Sequence, residues 1–374
     1  IHLPNIIQNI AFIVSFSFVF NLTVFAQPYK TDAFVIEKAI KVTEIKNQFR
    51  SNTCWSYATI DMLEAELLKK GKKDIHLSEM FVVYNVYLEK AEKYFRMHGK
   101  NNLSGGGALF DVISAIEKYG IVPYEAYSGL INGMQYNDHV ALDNQISEKM
   151  KKVISSEQVS MDWKKDIISI LDNNLGTPPS EFTFQQVQYT PKSFAQWLNI
   201  KSSNYILFSS FIYKPLYKNF VVEVPDNWAM GQAFNVKLDE MINIIEYSIN
   251  NGYTVAATID NSESGFNWNK GIVRVKDGDP DLDSEPKITA QMRQKAFDEY
   301  QTTDDHSLLI MGIALSKTGE RYFLAKNSWG TENTKLGGYL YISEAYIRYK
   351  VLTILVNKSG VPGDILMQYN NTCN

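Results

Sequence analysis

Apolar residues recur at spacings of three and four over residues 54–70, where Ala58, Met62, Ala65 and Leu68 fall on one face. That period predicts a helix whose inner face packs on a core. A second such period, through Val236, Leu238, Met241, Ile244, Ile245 and Ile249, predicts a helix over residues 235–251, and the run YTVAATID after it predicts a strand. Between residues 103 and 124, Gly105, Gly106 and Gly107 precede a short amphipathic helix through Tyr119, which Gly120 and Pro123 end. Further on, an apolar run directly after His306 and another directly before Asn327 predict two buried strands.

The middle of the chain is patterned differently. Residues 143–173 are polar and helical in period, GTPPSE forms a turn cluster, and runs rich in Tyr and Phe follow. At the other extreme, residues 10–26 are almost wholly apolar, interrupted by Asn21 and Thr23 and closed by Val24 and Ala26. This length and ending suit a secretory signal removed before Gln27. The run is shorter than the roughly 20 apolar residues a bilayer span needs. The expectation is an exported protein, periplasmic or extracellular, with no stable membrane insertion once the signal is gone.

Composition narrows the chemistry. With 374 residues, 45% of them hydrophobic, the chain can bury a large core as one body or two intimately joined lobes. A formal net charge of −4 gives no electrostatic case for nucleic acid. Cys54 and Cys373 are the two cysteines, too few for a disulfide framework or a multi-cysteine metal site. His2, His76, His98 and His139 stand at no metal-ligand spacing. Asp277, Asp279, Asp281 and Asp283 alternate with Gly278, Pro280 and Leu282, but Leu282 stands where a calcium loop has its glycine, so a solvated loop is expected. No metal and no cofactor is implied.

One stretch carries chemistry. In NQFRSNTCW, Gln48 lies six residues before Cys54, and Cys54 opens the first predicted helix behind the candidate caps Ser51, Asn52 and Thr53. A cysteine at a helix N-terminus has its pKa lowered by free backbone N–H groups and the macrodipole. Gln48 would supply a side-chain N–H where an oxyanion forms. A thiolate also needs a base held by a third group. His306 and Asn327, at the ends of two neighbouring strands, would bring imidazole and amide together, with Trp329 covering their hydrogen bond.

Gln48, Cys54, His306 and Asn327, in that order and with NSWG around the last, resemble the papain superfamily of cysteine peptidases. NQFRSNTCW, LSEMFVVYNVYLEKAEKYF, LGTPPSEFTF and VLTILVNKSGVP are more closely similar to its bleomycin hydrolase, or aminopeptidase C, branch. The resemblance implies an α+β, papain-like two-lobed fold over residues 27–374. Residues 129–234 would be an inserted helical subdomain hanging over the cleft, consistent with a Cys54 to His306 separation well above the roughly 130 to 150 positions of the short papain pattern. It also implies peptide substrates, a Cys54–His306 ion pair oriented by Asn327, an oxyanion site at Gln48, and a substrate path along Gly106, Gly107 and Trp329. In that branch the C-terminal arm lies in the cleft and its carboxylate reads the substrate's amine, giving an aminopeptidase that assembles as a hexameric cage. The tail after the last strand here looks shorter, which keeps endopeptidase action open, and a homo-oligomer is likewise left open. A peptide-binding protein without turnover would fit the same residues, as would a transferase using the same thioester.

Overall fold

The computed structural model describes residues 29–72, 75–158, 160, 162–280 and 283–373. The apolar run 10–26 and Gln27 lie outside them. After strand β1 (Phe34–Ala39), the chain forms helices α1 (Cys54–Lys69), α2 (Glu79–Arg96), α3 (Leu109–Tyr119), α4 (Val140–Ser155) and α5 (Trp163–Leu175). A hairpin of β2 (Phe182–Phe184) and β3 (Val187–Tyr189) leads to α6 (Pro191–Leu198), then to β4 (Tyr205–Ser209), β5 (Asn219–Val221) and β6 (Gln232–Asn235). Helix α7 (Leu238–Asn250), strands β7 (Val255–Ile259), β8 (Phe266–Asn267) and β9 (Ile272–Val273) and helix α8 (Ala290–Asp298) come next. The chain closes with β10 (His306–Ser316), β11 (Arg321–Lys326), β12 (Tyr339–Ser343), α9 (Glu344–Lys350), β13 (Val351–Asn357) and α10 (Gly363–Cys373).

These elements make the two lobes of a papain-like α+β fold. One sheet runs β5-β6-β4-β13-β7-β10-β11-β12-β9-β8, with β1 also paired to β10. Its central strands are continuous apolar runs, buried on both faces. The backbone of β1 passes so close to β10 that a Cβ on Gly312 would meet the Lys38 carbonyl oxygen at 2.6 Å, which is why glycine stands there. Helices α1 to α3 form the other layer, and α1 packs against β7 and β10.

Helix α1 is buried further round than its period predicts. Every residue from Trp55 to Leu67 is buried, because the sheet covers one side and α2 and α3 cover the others. Its polar side chains are therefore partnered inside the protein. Asp61 pairs with Lys326 at 2.9 Å, Glu64 with Lys46 at 2.7 Å, and Glu66 accepts from Tyr205 and Asn357 at 3.0 Å each. None of the side chains of Ser51, Asn52 and Thr53 caps the helix: Thr53 is the N-cap residue, but its hydroxyl accepts nothing from the first turn and shares a 2.6 Å hydrogen bond with Ser51. A cap is worth about 1 kcal/mol, whereas fully burying Ile60, Met62 and Leu63 contributes roughly 1.5–3 kcal/mol each. Packing holds this helix, and its N-terminal N–H groups stay uncapped by side chains.

Residues 129–234 are helical only as far as Leu198. Beyond it, β4, β5 and β6 join the main sheet, β4 beside β13, because runs such as YILFS are continuously apolar and bury both faces. Helices α4 and α5 bury Leu142, Ile146, Met150, Ile167 and Leu171 against α2, so they flank the helical layer and do not hang over the cleft. What reaches the cleft from this segment is the loop 222–231.

Candidate active site

Cys54 is the first residue of α1, and His306 is the first residue of β10. Asn327 follows β11 directly, and β10 and β11 are antiparallel neighbours with Leu309 opposite Lys326. The hairpin therefore brings His306 and Asn327 together, and His306 Nε2 donates to Asn327 Oδ1 at 2.6 Å. That bond fixes the tautomer and leaves Nδ1 free for a second partner. The Trp329 ring lies 4.6 Å from the imidazole, centroid to centroid, and excludes water from that side. Ser307, next to the histidine, contacts the Cys54 sulfur through both its backbone and its hydroxyl.

Gln48 approaches from the preceding loop. Its backbone N–H donates to the Ser328 carbonyl at 2.8 Å, and its side-chain oxygen accepts from Ser328 Oγ at 2.6 Å. With the oxygen held, the Gln48 amide nitrogen is the end left for the cleft. The turn from Gln48 to Cys54 passes through Phe49 and Asn52 at φ 49° and 56°, left-handed conformations that cost on the order of 1 kcal/mol or more each. Two lysines, Lys326 buried and Lys46 partly so, brace this arrangement. Lys46, two residues before Gln48, contacts Glu64, Glu79 and Asp61, while Lys326, one residue before Asn327, contacts Asp61. Helix α1 is thus tied by Asp61 and Glu64 to the segments that carry Gln48 and Asn327.

Gln48, Cys54, Gly106, Asp226, His306 and Trp329 line one cavity of about 460 Å³, together with Asp304 and Asp305. Gly107 does not line it. It lines a smaller cavity that shares Asp226 and Asp304 with this one, and a Cβ on it would meet the Trp55 ring at 2.8 Å, where Trp55 also donates to the Gly105 carbonyl at 2.9 Å. Gly106 faces the cavity, with the Asp226 carboxylate against its Cα, and its own carbonyl accepts from Lys90. Of the two glycines read as a substrate path, Gly106 lines the cleft and Gly107 lines the smaller cavity that adjoins it.

Electrostatics also depart from the expectation. Burial pushes the Cys54 thiol up to about 12, outweighing the Ser307 and Trp55 donors that favour the thiolate, and the Asp226 charge adds to the rise. Burial likewise lowers His306 to about 4, against the Asn327 hydrogen bond. A thiol raised that far disfavours the thiolate by roughly 4 kcal/mol, more than the ~2 kcal/mol at most that a helix N-terminus returns. The helix therefore does not activate Cys54 by itself. Burial thus favours the neutral form of each group.

Other sequence candidates lie elsewhere. His76 and His98 are outside the cavity, and His139 is buried beside Tyr87 and held neutral by burial at about 4. No group of three metal-ligating side chains occurs among the described residues. In the acidic loop, Arg274 pairs with Glu285 at 3.1 Å and also reaches the Asp283 carbonyl, while Asp281 and Leu282 lie outside the described residues. Helix α10 packs Ile365 and Tyr369 near Phe234, and no described residue of it lines the cavity. Cys373 is its last residue.

The profile of the Peptidase C1-like family matches residues 9–374. Aminopeptidase C of Lactobacillus helveticus is 24% identical over 371 residues, covering 87% of this chain and 81% of its own. Aminopeptidase C of Listeria monocytogenes is 24% identical over 384 residues, covering 90% and 85%. Bleomycin hydrolase of Mus musculus is 22% identical over 381 residues, covering 86% and 82%. A crystal structure of PepW from Lactobacillus rhamnosis HN001 superposes with a TM-score of 0.72 at 18% identity, covering 90% of this chain and 85% of its own, a likeness of fold. The match spans both lobes and every segment that builds the cleft, so the chain belongs to the Peptidase C1-like family, in the branch of papain-like cysteine peptidases that holds aminopeptidase C and bleomycin hydrolase.

Proposed function

We propose that this protein is an aminopeptidase in which Cys54 is the nucleophile, His306 the general base and acid, Asn327 the group that orients the imidazole, and Gln48 an oxyanion donor. The observation that carries this reading is the 2.6 Å bond from His306 Nε2 to Asn327 Oδ1, which leaves Nδ1 free, beside Ser307, the residue that touches the Cys54 sulfur. As the sulfur attacks a peptide carbonyl, its proton passes to His306 Nδ1. The developing oxyanion is met by the Gln48 amide and the first N–H groups of α1. The imidazolium then protonates the leaving amine, and water activated by the same ring releases the acyl group.

A neutral amide at Asn327 suits this cycle. The imidazolium appears only beside a thiolate or an oxyanion, so a second negative charge in a buried site would have no counter-ion. Removal of single amino acids from the N-terminus is supported by the aminopeptidase C relatives. The test is hydrolysis of one peptide series with free and acetylated N-termini, with Cys54→Ala as control. Cleavage confined to free N-termini and abolished in Cys54→Ala is expected; internal cleavage of acetylated peptides would make it an endopeptidase, and retention of turnover by Cys54→Ala would overturn the assignment. No helix among the described residues is long and apolar enough to cross a membrane. Export directed by residues 10–26 is checked by N-terminal sequencing of the mature protein, where a start at Gln27 is the expected result.

A further inference from the structure

Asp226 belongs to none of the sequence motifs, yet it stands in the cleft. The loop that carries it is stapled at several points. Asn227 Nδ2 donates to the Val222 and Gly231 carbonyls at 2.9 Å each, and Gly231 N–H donates back to Asn227 Oδ1 at 2.8 Å. Trp228 is buried and its Nε1 donates to Asp111 of α3 at 2.7 Å. The Asp226 backbone N–H donates to Asp304 Oδ2 at 2.8 Å, which ties the loop to the residues just before His306. The carboxylate is therefore held in place by its surroundings before any ligand arrives.

Its two oxygens differ. Oδ1 accepts from Asn102 Nδ2 at 2.6 Å, whereas Oδ2 accepts from no protein group among the described residues. The carboxylate lies over Gly106, so close that a Cβ there would be 2.1 Å from Oδ1, and it faces the cavity that Cys54 and His306 share. The nearest cation, Lys90, has its ammonium on the Ser104 and Gly106 carbonyls. Burial and the neighbouring Asp304 push Asp226 up to about 7, with Lys90 opposing. A carboxylate in that position lacks a counter-ion, and one is supplied by any cation that enters the cleft.

The other two carboxylates on this wall are less suited. Asp304 is engaged by the Asp226 N–H, and Asp305 is exposed and accepts from Thr303 at 2.7 Å. Asp226 lines the same cavity as Cys54 and its charge acts on that thiol, so an ammonium bound there occupies space that a longer peptide would fill with another acyl group.

We infer that Asp226 is the specificity-determining residue of the cleft: its carboxylate binds the free α-ammonium of the substrate's N-terminal residue and, standing over Gly106, stops peptides from extending past it. This rests on the aminopeptidase reading for its substrate, and the two are tested separately. In the full chain carrying Cys54→Ala, binding of a short peptide with a free N-terminus is compared by calorimetry with its acetylated twin, with and without Asp226→Asn. A preference for the free amine is expected, and Asp226→Asn should erase it, a loss of about ten- to a hundredfold, the range for a hydrogen bond to a charged group. Gly106→Ala, which displaces the carboxylate without removing its charge, should erase it as well. A preference that survives both substitutions, or no preference in the starting protein, overturns the proposal. Because binding is read without turnover, an inactive enzyme that still prefers the amine would sink the catalytic assignment and leave this one standing.

Discussion

Beneath Gln48 and Asn327, Lys46 and Lys326 sit among Asp61, Glu64 and Glu79; beside Gly106, Lys90 sits among Asp226, Asp111 and Asp143. The first set is closed. Both of its lysines contact carboxylates directly, and although burial works against its charge, the Glu64, Glu79 and Asp61 carboxylates together hold Lys46 well above the usual lysine value. The second set is open. Lys90 bonds to carbonyl oxygens, and burial lowers it to about 8 in spite of the three aspartates. Its aspartates turn to neutral donors: Asp111 to Ala108 N–H and Trp228, Asp143 to Tyr87, Asp226 to Asn102. Where charges are matched within the protein they fix structure; where a carboxylate beside a cavity is left without a cation, a ligand completes it.

Breaking the closed set should cost the most. Asp61→Ala takes from the buried Lys326 its carboxylate and from the partly buried Lys46 one of three, and removing one member of a buried group is worth about 3–5 kcal/mol. Urea unfolding measures this, and unchanged stability would erase the distinction between the two sets. Because Lys46 and Lys326 flank Gln48 and Asn327, the same variant should also lower kcat. Gln48→Ala is expected to lower kcat by roughly 10² to 10³, the loss seen for a single oxyanion donor, with little change in unfolding; a KM effect alone would remove Gln48 from that role.

The open set should show in the pH profile. Asp226 is faced by Asp304, Lys90, Asp111 and Asn102, and must be ionised to bind an ammonium. For a free-amine peptide kcat/KM should rise through pH of about 7 as Asp226 loses its proton, then fall above roughly 8 as the substrate's α-amine loses its own. In Asp226→Asn the rising limb should move down toward the His306 titration near 4. The smallest effect is on stability. A carboxyl raised in the folded state stabilises it below the unfolded value and loses that contribution as pH climbs through the folded one. Asp226→Asn should therefore unfold at a higher temperature than the parent at pH 8, with the gap closing toward pH 5; a lower Tm at pH 8 would place Asp226 with the structural carboxylates.

The same contrast divides what is legible in the sequence. Cys54, His306, Asn327 and Gln48 can be read because each stands at the end of an element whose apolar period is plain, next to neighbours that announce it. Ser307 and Ser328 cannot, since a serine beside a catalytic position looks like any other, and only the fold shows Ser307 on the sulfur and Ser328 holding Gln48. Asp226 leaves no signal at all, because its position depends on Trp228 reaching Asp111 across a gap that no local pattern encodes. The pKa of Cys54 departs from its expected direction for a related reason: a helix N-terminus is visible in a sequence, whereas burial of the side chain that starts it is not. Likewise β4 to β6 are short, and their place in the sheet is set by partners far along the chain.

Helix α1 is buried without a break from Trp55 to Leu67. Cys54 is mounted on a helix that cannot shift without opening the core, since sheet and helices enclose it beyond its first residue. Heat should therefore leave no intermediate that is folded yet misaligned at Cys54: loss of activity and loss of structure should share one midpoint, and the protein should work at full rate up to the temperature at which it melts.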